Sequence, residues 1–188
     1  MELNHVLLGI LLVIIVYVIY SYNRLVRLRN MADTAYANID TLLQKRFDLV
    51  PNLVSTVKGY MEHEKEVLET ITRARSEWFN ASTMKENAGA DQKAEKALKT
   101  LFAVSESYPD LKANQNFLML QEELSGIERK IAYARQRYNR TVMALNTVIQ
   151  RFPTNLMARL FNFTTREYFA VESTKARSAP DINMQDGE

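Results

Sequence analysis

His63-Glu64-Lys65-Glu66-Val67 comes nearest in this chain to a catalytic motif, because it opens like the zincin sequence H-E-x-x-H. In that motif two histidines one helical turn apart hold zinc, and the glutamate between them acts as general base. Val67 stands where the second histidine is needed, and His5 is the only other histidine. The di-iron bundle pattern, which needs Glu-x-x-His twice, fails for the same want of histidines; the residue three before His63 is Tyr60. Glu62, Glu64, Glu66 and Glu69 then read as a solvated acidic face rather than a metal site. With no cysteine, zinc-thiolate sites, disulfides and thiol catalysis are excluded together, and a cytosolic domain is compatible with that composition. Glycine-rich phosphate loops and the G-x-S-x-G nucleophile elbow are absent as well. Glu122, Glu123 and Glu128 look like ordinary helix-surface glutamates. The expectation is a protein that is not an enzyme and carries no cofactor, metal or catalytic residue.

Binding chemistry is better represented. Lys130, Arg137 and Arg140, with Arg129 and Arg135, make one helical stretch basic. That stretch is either an ordinary exposed face or a contact for an acidic partner or anionic lipid. Nucleic acid is not expected, since the formal net charge is only +2 and no recognition motif occurs.

The segment that positions everything else is N-terminal. Residues Leu3 to Asn23 contain no charged side chain, and Val6–Tyr20 is apolar apart from Gly9. A helix of about 20 such residues spans the hydrocarbon of a bilayer. The twelve Leu, Ile and Val residues from Val6 to Ile19 favour insertion by about 4 to 7 kcal/mol. A cleaved signal peptide is the competing reading. Against it, Met1–His5 is acidic rather than basic, and no small-residue cleavage pattern follows Tyr20. Arg24, Arg27 and Arg29 follow directly, and all 24 Lys and Arg lie after the span. The positive-inside rule therefore predicts an outside N-terminus and a cytoplasmic body, with Tyr17, Tyr20 and Tyr22 at headgroup level. One of the 22 acids, Glu2, precedes the span, so the body carries +3.

Few Gly and Pro, and long stretches of good helix formers, predict an all-α body of one domain. Leu25, Leu28, Ala32, Ala35, Ile39, Leu42 and Leu49 form a stripe that Arg46 breaks, and the first helix is expected to run unbroken from the bilayer to about Phe47. Asp48 is the expected N-cap of a second helix over about Leu49–Phe79, with Pro51 in its first turn. A loop over Asn80–Asp91 and a third helix over about Gln92–Ser107 follow. The fourth helix carries Phe117, Leu120, Leu124, Ile127, Ile131, Ala134, Tyr138, Thr141, Leu145, Val148 and Phe152 at alternating steps of three and four, the pattern of a left-handed bundle. Pro153 stops it, and Asn155–Phe169 reads as a short amphipathic piece. The expected fold is an N-terminal transmembrane helix continuing into an antiparallel up-down-up-down four-helix bundle. The expected division is 3–23 anchor, 24–170 bundle and 171–188 polar, poorly ordered tail.

Two finer expectations follow. A second helix of Leu49–Phe79 would return to the bilayer and place Trp78 and Phe79 on lipid, or else those rings cap the bundle. Phe161 and Phe163 would reach the same end, as core, membrane contact or both. Separately, Tyr22-Asn23-Arg24-Leu25-Val26 and Tyr138-Asn139-Arg140-Thr141-Val142 agree at four of five positions, and Asn30 and Asn146 extend the match. The echo reflects either shared heptad constraints or matched layers with their asparagines bonded together.

The chain resembles the LemA family of bacterial membrane-anchored proteins. The residues that carry the resemblance are Tyr22-Asn23-Arg24-Leu25-Val26-Arg27-Leu28-Arg29-Asn30, Arg46-Phe47-Asp48-Leu49-Val50-Pro51-Asn52-Leu53-Val54, Thr56–Tyr60 and His63-Glu64. Asn116-Phe117-Leu118, Gln121–Leu124, Glu128, Ala134-Arg135, Tyr138-Asn139, Phe152-Pro153, Asn155 and Tyr168-Phe169 continue it in the same order. A common family form has His where this chain has Phe47. The resemblance implies a helical bundle on an anchor in the bacterial inner membrane, and no reaction. Members are often encoded near membrane metalloproteases, and a relative takes part in forming magnetosome membranes. The expected function is a non-enzymatic scaffold that self-associates as a homo-oligomer or binds a membrane partner, such as a metalloprotease, through helical faces. The alternative is a membrane-shaping, lipid-binding protein that uses its basic and aromatic ends.

Overall fold

Ser21, Leu25, Leu28, Ala32, Ala35, Ile39, Leu43, Arg46, Val50, Leu53 and Val57 all turn inward, at steps of three and four wherever they are adjacent in the stripe. One face of one helix therefore stays buried from the end of the apolar segment onward. The computed structural model describes residues 2–169, and among them there are helices and loops but no strand. The helices are α1 (Glu2–Lys58), α2 (Lys65–Asn80), α3 (Met84–Ser105), α4 (Pro109–Lys112), α5 (Gln115–Gln150) and α6 (Thr154–Leu160). Residues 171–188, expected to be a polar tail, lie outside the described residues.

The first helix does not stop at Phe47. It continues through Asp48 and Pro51 to Lys58, 57 residues in all and roughly 86 Å long. Pro51 removes the N–H that would bond the Phe47 carbonyl, a defect that normally breaks a helix. Here the guanidinium of Arg75 donates its Nε–H to that carbonyl at 3.0 Å. The buried stripe also runs past Pro51 without a phase change, so packing favours continuation. The turn comes at residues 59–64 instead, where the Tyr60 and Met61 amides both bond the Val57 carbonyl and Met61 is fully buried.

The expected Asn80–Asp91 loop shrinks to residues 81–83. Thr83 accepts a bond from the Glu86 amide through its side chain, while Glu86 accepts from the Thr83 amide, and this capping box starts α3 ahead of Gly89. Asn114 caps α5 by accepting from the Phe117 amide at 3.1 Å. Along α5 the inward residues are Phe117, Leu124, Ile127, Ile131, Ala134, Tyr138, Val142, Leu145 and Val148. Val142 takes the place expected for Thr141. Phe152 lies beyond the end of α5 and is 75% exposed.

The direction of α5 follows from its partners. Tyr60 meets Asn114, Arg46 meets Glu128 and Tyr36 packs on Tyr138, so α5 runs against α1 in constant register. α3 bonds α1 in the order Asn87–Tyr36 and Asp91–Arg46, and Tyr108 just beyond its end meets Glu64 just beyond α1. α2 lies between, with Lys93 of α3 on its Glu77 and Phe47 of α1 on its Trp78. The α2–α3 hairpin thus covers the part of the α1–α5 pair towards Lys58. Near Tyr22 the third layer is α6 with residues 161–169.

Before Tyr17 every described residue of α1 is exposed. Its apolar stretch is long and apolar enough to cross a membrane, and none of the most apolar window is buried.

Candidate functional site

Arg46 occupies an inward position of the α1 stripe, three residues after Leu43 and four before Val50, and its side chain is fully buried. Its guanidinium donates to the Asp91 carboxylate at 2.6 Å and to Glu128 at 2.8 Å. Arg135 of α5 binds the other Asp91 oxygen and reaches Glu95 at 3.5 Å, and Lys99 holds Glu95 from outside at 2.7 Å. Three cations thus face three carboxylates, and the cluster ties α1, α3 and α5 together. Burial pushes the Glu95 pKa up, but the hydrogen bond and charge of Lys99 and the charge of Arg135 outweigh it, leaving the carboxyl below its ordinary range. The groups are paired with one another, and no three or more His, Asp or Glu among the described residues form a set that could hold a metal ion. Desolvation offsets much of the attraction in a buried cluster of this kind, whereas removing one partner leaves an uncompensated buried charge.

Asp91 is illegible as an ion-pair residue from sequence, since it sits among Ala and Gly in a stretch that reads as loop. Arg46 carries a legible signal: a charge in phase with a buried stripe requires a partner.

Below the cluster, α5 grips the chain's own C-terminal segment by its backbone. Asn146 donates to the Arg166 carbonyl and accepts from the Arg166 amide, both at 2.9 Å. Asn139 does the same for Phe169, at 3.1 and 2.8 Å. The Tyr138 hydroxyl donates to the Glu167 carbonyl, and Phe169 is buried. Burial, first of all, raises the Tyr138 phenol above its ordinary value. The echo of Tyr22–Val26 in Tyr138–Val142 therefore does not mark asparagines bonded to each other; Asn139 and Asn146 clamp the extended segment instead.

Trp78 is buried and stacks on Phe47 at 5.1 Å between ring centroids, while the Arg75 guanidinium covers Phe79. Phe47 lies 23 residues along α1 from Arg24, roughly 35 Å. Because α2 has only 16 residues, Trp78 and Phe79 do not return to the arginine end. Phe161 and Phe163 do: they flank Tyr22 edge-on at 4.9 and 5.9 Å, and Arg29 lies over Phe163. Arg24 and Arg27 are exposed beside them. Lys130, Arg137 and Arg140 are exposed too, on one face of α5 with the exposed ring of Tyr133. Arg135, from the same basic stretch, belongs to the buried cluster.

The LemA family model matches residues 35–184 of the chain. The chain belongs to the LemA family. Magnetosome protein MamQ 1 of Paramagnetospirillum magneticum is 25% identical over 190 residues, covering 87% of this chain and 69% of that protein. Protein LemA of Metamycoplasma hominis is 29% identical over 157 residues, 82% of this chain and 72% of its own. Magnetosome protein MamQ of Magnetospirillum gryphiswaldense is 23% identical over 185 residues, with 85% and 68% covered. This LemA-family chain uses Phe47 as a stacking partner for Trp78.

Proposed function

We propose that this LemA-family chain is a single-pass, non-enzymatic scaffold in the bacterial inner membrane, with its N-terminus outside and its helical body in the cytoplasm. The observation that carries this reading is α1 itself: the unburied apolar stretch and the wall of the body are one helix, and burial begins at Ser21 with no intervening Gly or Pro. Such a joint presents the body at a fixed height and angle. The alternating pairings of α1, α2, α3 and α5 support an up-down-up-down four-helix bundle, to which α4 and α6 are additions. The magnetosome relatives support a membrane setting.

In this reading the scaffold self-associates or docks a membrane partner through exposed helix faces, and the α5 face with Lys130, Tyr133, Arg137 and Arg140 is the first choice. Crosslinking in intact membranes followed by mass spectrometry tests it. Crosslinks from that face to a second copy or to another membrane protein are expected. A chain that is monomeric in mild detergent and captures nothing in the membrane is not a scaffold.

A further inference from the structure

α6 and its flanks leave an apolar surface without a partner at one defined height. Ala158 is buried and Met157 packs on the core, so Leu156 and Leu160, one turn apart, face outward. They are 51% and 66% exposed, and Phe152 and Phe161 extend the patch on either side. Its height is set by two contacts with α1. The Tyr17 hydroxyl bonds Thr154 at 3.1 Å, and Phe161 packs on Tyr22. α6 therefore sits where the apolar stretch of α1 ends and Arg24 begins.

Charge around it has one sign. No Asp or Glu occurs between Glu128 and Glu167, or between Glu2 and Asp33, whereas Arg24, Arg27, Arg151 and Arg159 are all exposed there. An apolar face rimmed by arginines is the composition of a segment that lies in the plane of an anionic bilayer surface, with its apolar side among the upper acyl chains.

We infer that α6, with Phe152 and Phe161, is an interfacial foot that lies in the anionic headgroup layer of the membrane α1 crosses. This rests on the anchor reading of α1. The foot gives the body a second lipid contact beside the span, and two contacts hold the tilt of the body against the bilayer plane where one leaves it free. Arg24, Arg27, Arg151 and Arg159 bind lipid phosphate, while Phe152, Leu156, Leu160 and Phe161 enter the acyl boundary.

Because the chain has no cysteine, single labels report position without background. Full-length Leu156→Cys, Leu160→Cys, Leu12→Cys and Glu123→Cys variants, each carrying a nitroxide, are reconstituted in phosphatidylcholine vesicles with and without phosphatidylglycerol. Collisions with oxygen mark lipid, and collisions with a water-soluble nickel chelate mark water. The labels at 156 and 160 are expected to favour oxygen, at a shallower depth than the label at 12, while the label at 123 favours nickel. With phosphatidylglycerol present, Arg151→Gln with Arg159→Gln should shift the labels at 156 and 160 towards water. Nickel access at 156 and 160 with a lipid-buried label at 12 overturns the foot and leaves the anchor standing. Shielding of 156 and 160 from both probes assigns the patch to a protein contact and also overturns it. Equal depths in both lipids, whatever the arginines, overturn the anionic assignment. A nickel-accessible label at 12 overturns the anchor reading and the foot with it.

Discussion

The Nε–H of Arg75 closes the gap that Pro51 opens, bonding the Phe47 carbonyl at 3.0 Å in place of a backbone amide. A side chain from α2 thereby completes the hydrogen bonding of α1. Arg75→Met should cost about 1 to 3 kcal/mol by leaving a largely buried carbonyl unpaired. Adding Pro51→Ala should restore most of the loss, because the backbone amide then fills the same carbonyl. Urea denaturation of the single and double variants measures both effects, and equal stability of Arg75→Met with and without Pro51 would refute the compensation.

Asp91 holds two arginines at once, so its loss strands more charge than the loss of either. Asp91→Ala is expected to cost about 3 to 5 kcal/mol. Arg46→Met should cost less, since Arg135 stays on Asp91. The double variant Arg46→Met with Asp91→Ala should be less destabilised than the two single changes together. A double-mutant cycle gives the coupling directly.

The asparagine clamps predict a local effect. In Asn146→Ala the Arg166 amide should exchange with solvent much faster, and in Asn139→Ala the Phe169 amide should do so. Amides in the α1–α5 pair should keep their protection. Hydrogen exchange read residue by residue separates this from global loosening, in which all amides would change together.

Glu95 sets an acid limit. Its folded pKa lies below the ordinary 4.5, so its pairing with Lys99 and Arg135 stabilises the fold fully above about pH 4.5 and is lost as pH falls through the folded value. Stability measured from pH 7 down to pH 3 should therefore fall, and Glu95→Gln should flatten that fall. An unchanged pH profile in Glu95→Gln would show that other carboxylates carry the acid response.

Much of this arrangement is legible in the residues. The heptad of Phe117 to Val148 and the charge-free stretch before Arg24 are periodic signals that survive any packing. The turn at Asp48 is misplaced because Pro51 and an acidic cap form a local stop signal, and the partner that overrides it, Arg75, is a tertiary contact that local sequence does not encode. The loop over Asn80–Asp91 is overextended because Gly89 reads as a breaker, whereas the Thr83–Glu86 box has already committed the chain to helix. That single boundary hides Asp91, and with it the ion cluster. Misplacing one turn also sends Trp78 to the wrong end, since helix lengths set where every later residue lies.

Trp78 is the chain's one tryptophan, and its ring rests on Phe47 at the seam between α1 and the α2–α3 hairpin. The protein thus contains its own optical gauge at a place far from Tyr22. Emission from that ring reads whether the hairpin is seated on the α1–α5 pair and is nearly blind to what happens around α6. A partner that pries the hairpin away would announce itself by a shift in colour, and one that acts near Tyr22 would leave the emission as it was.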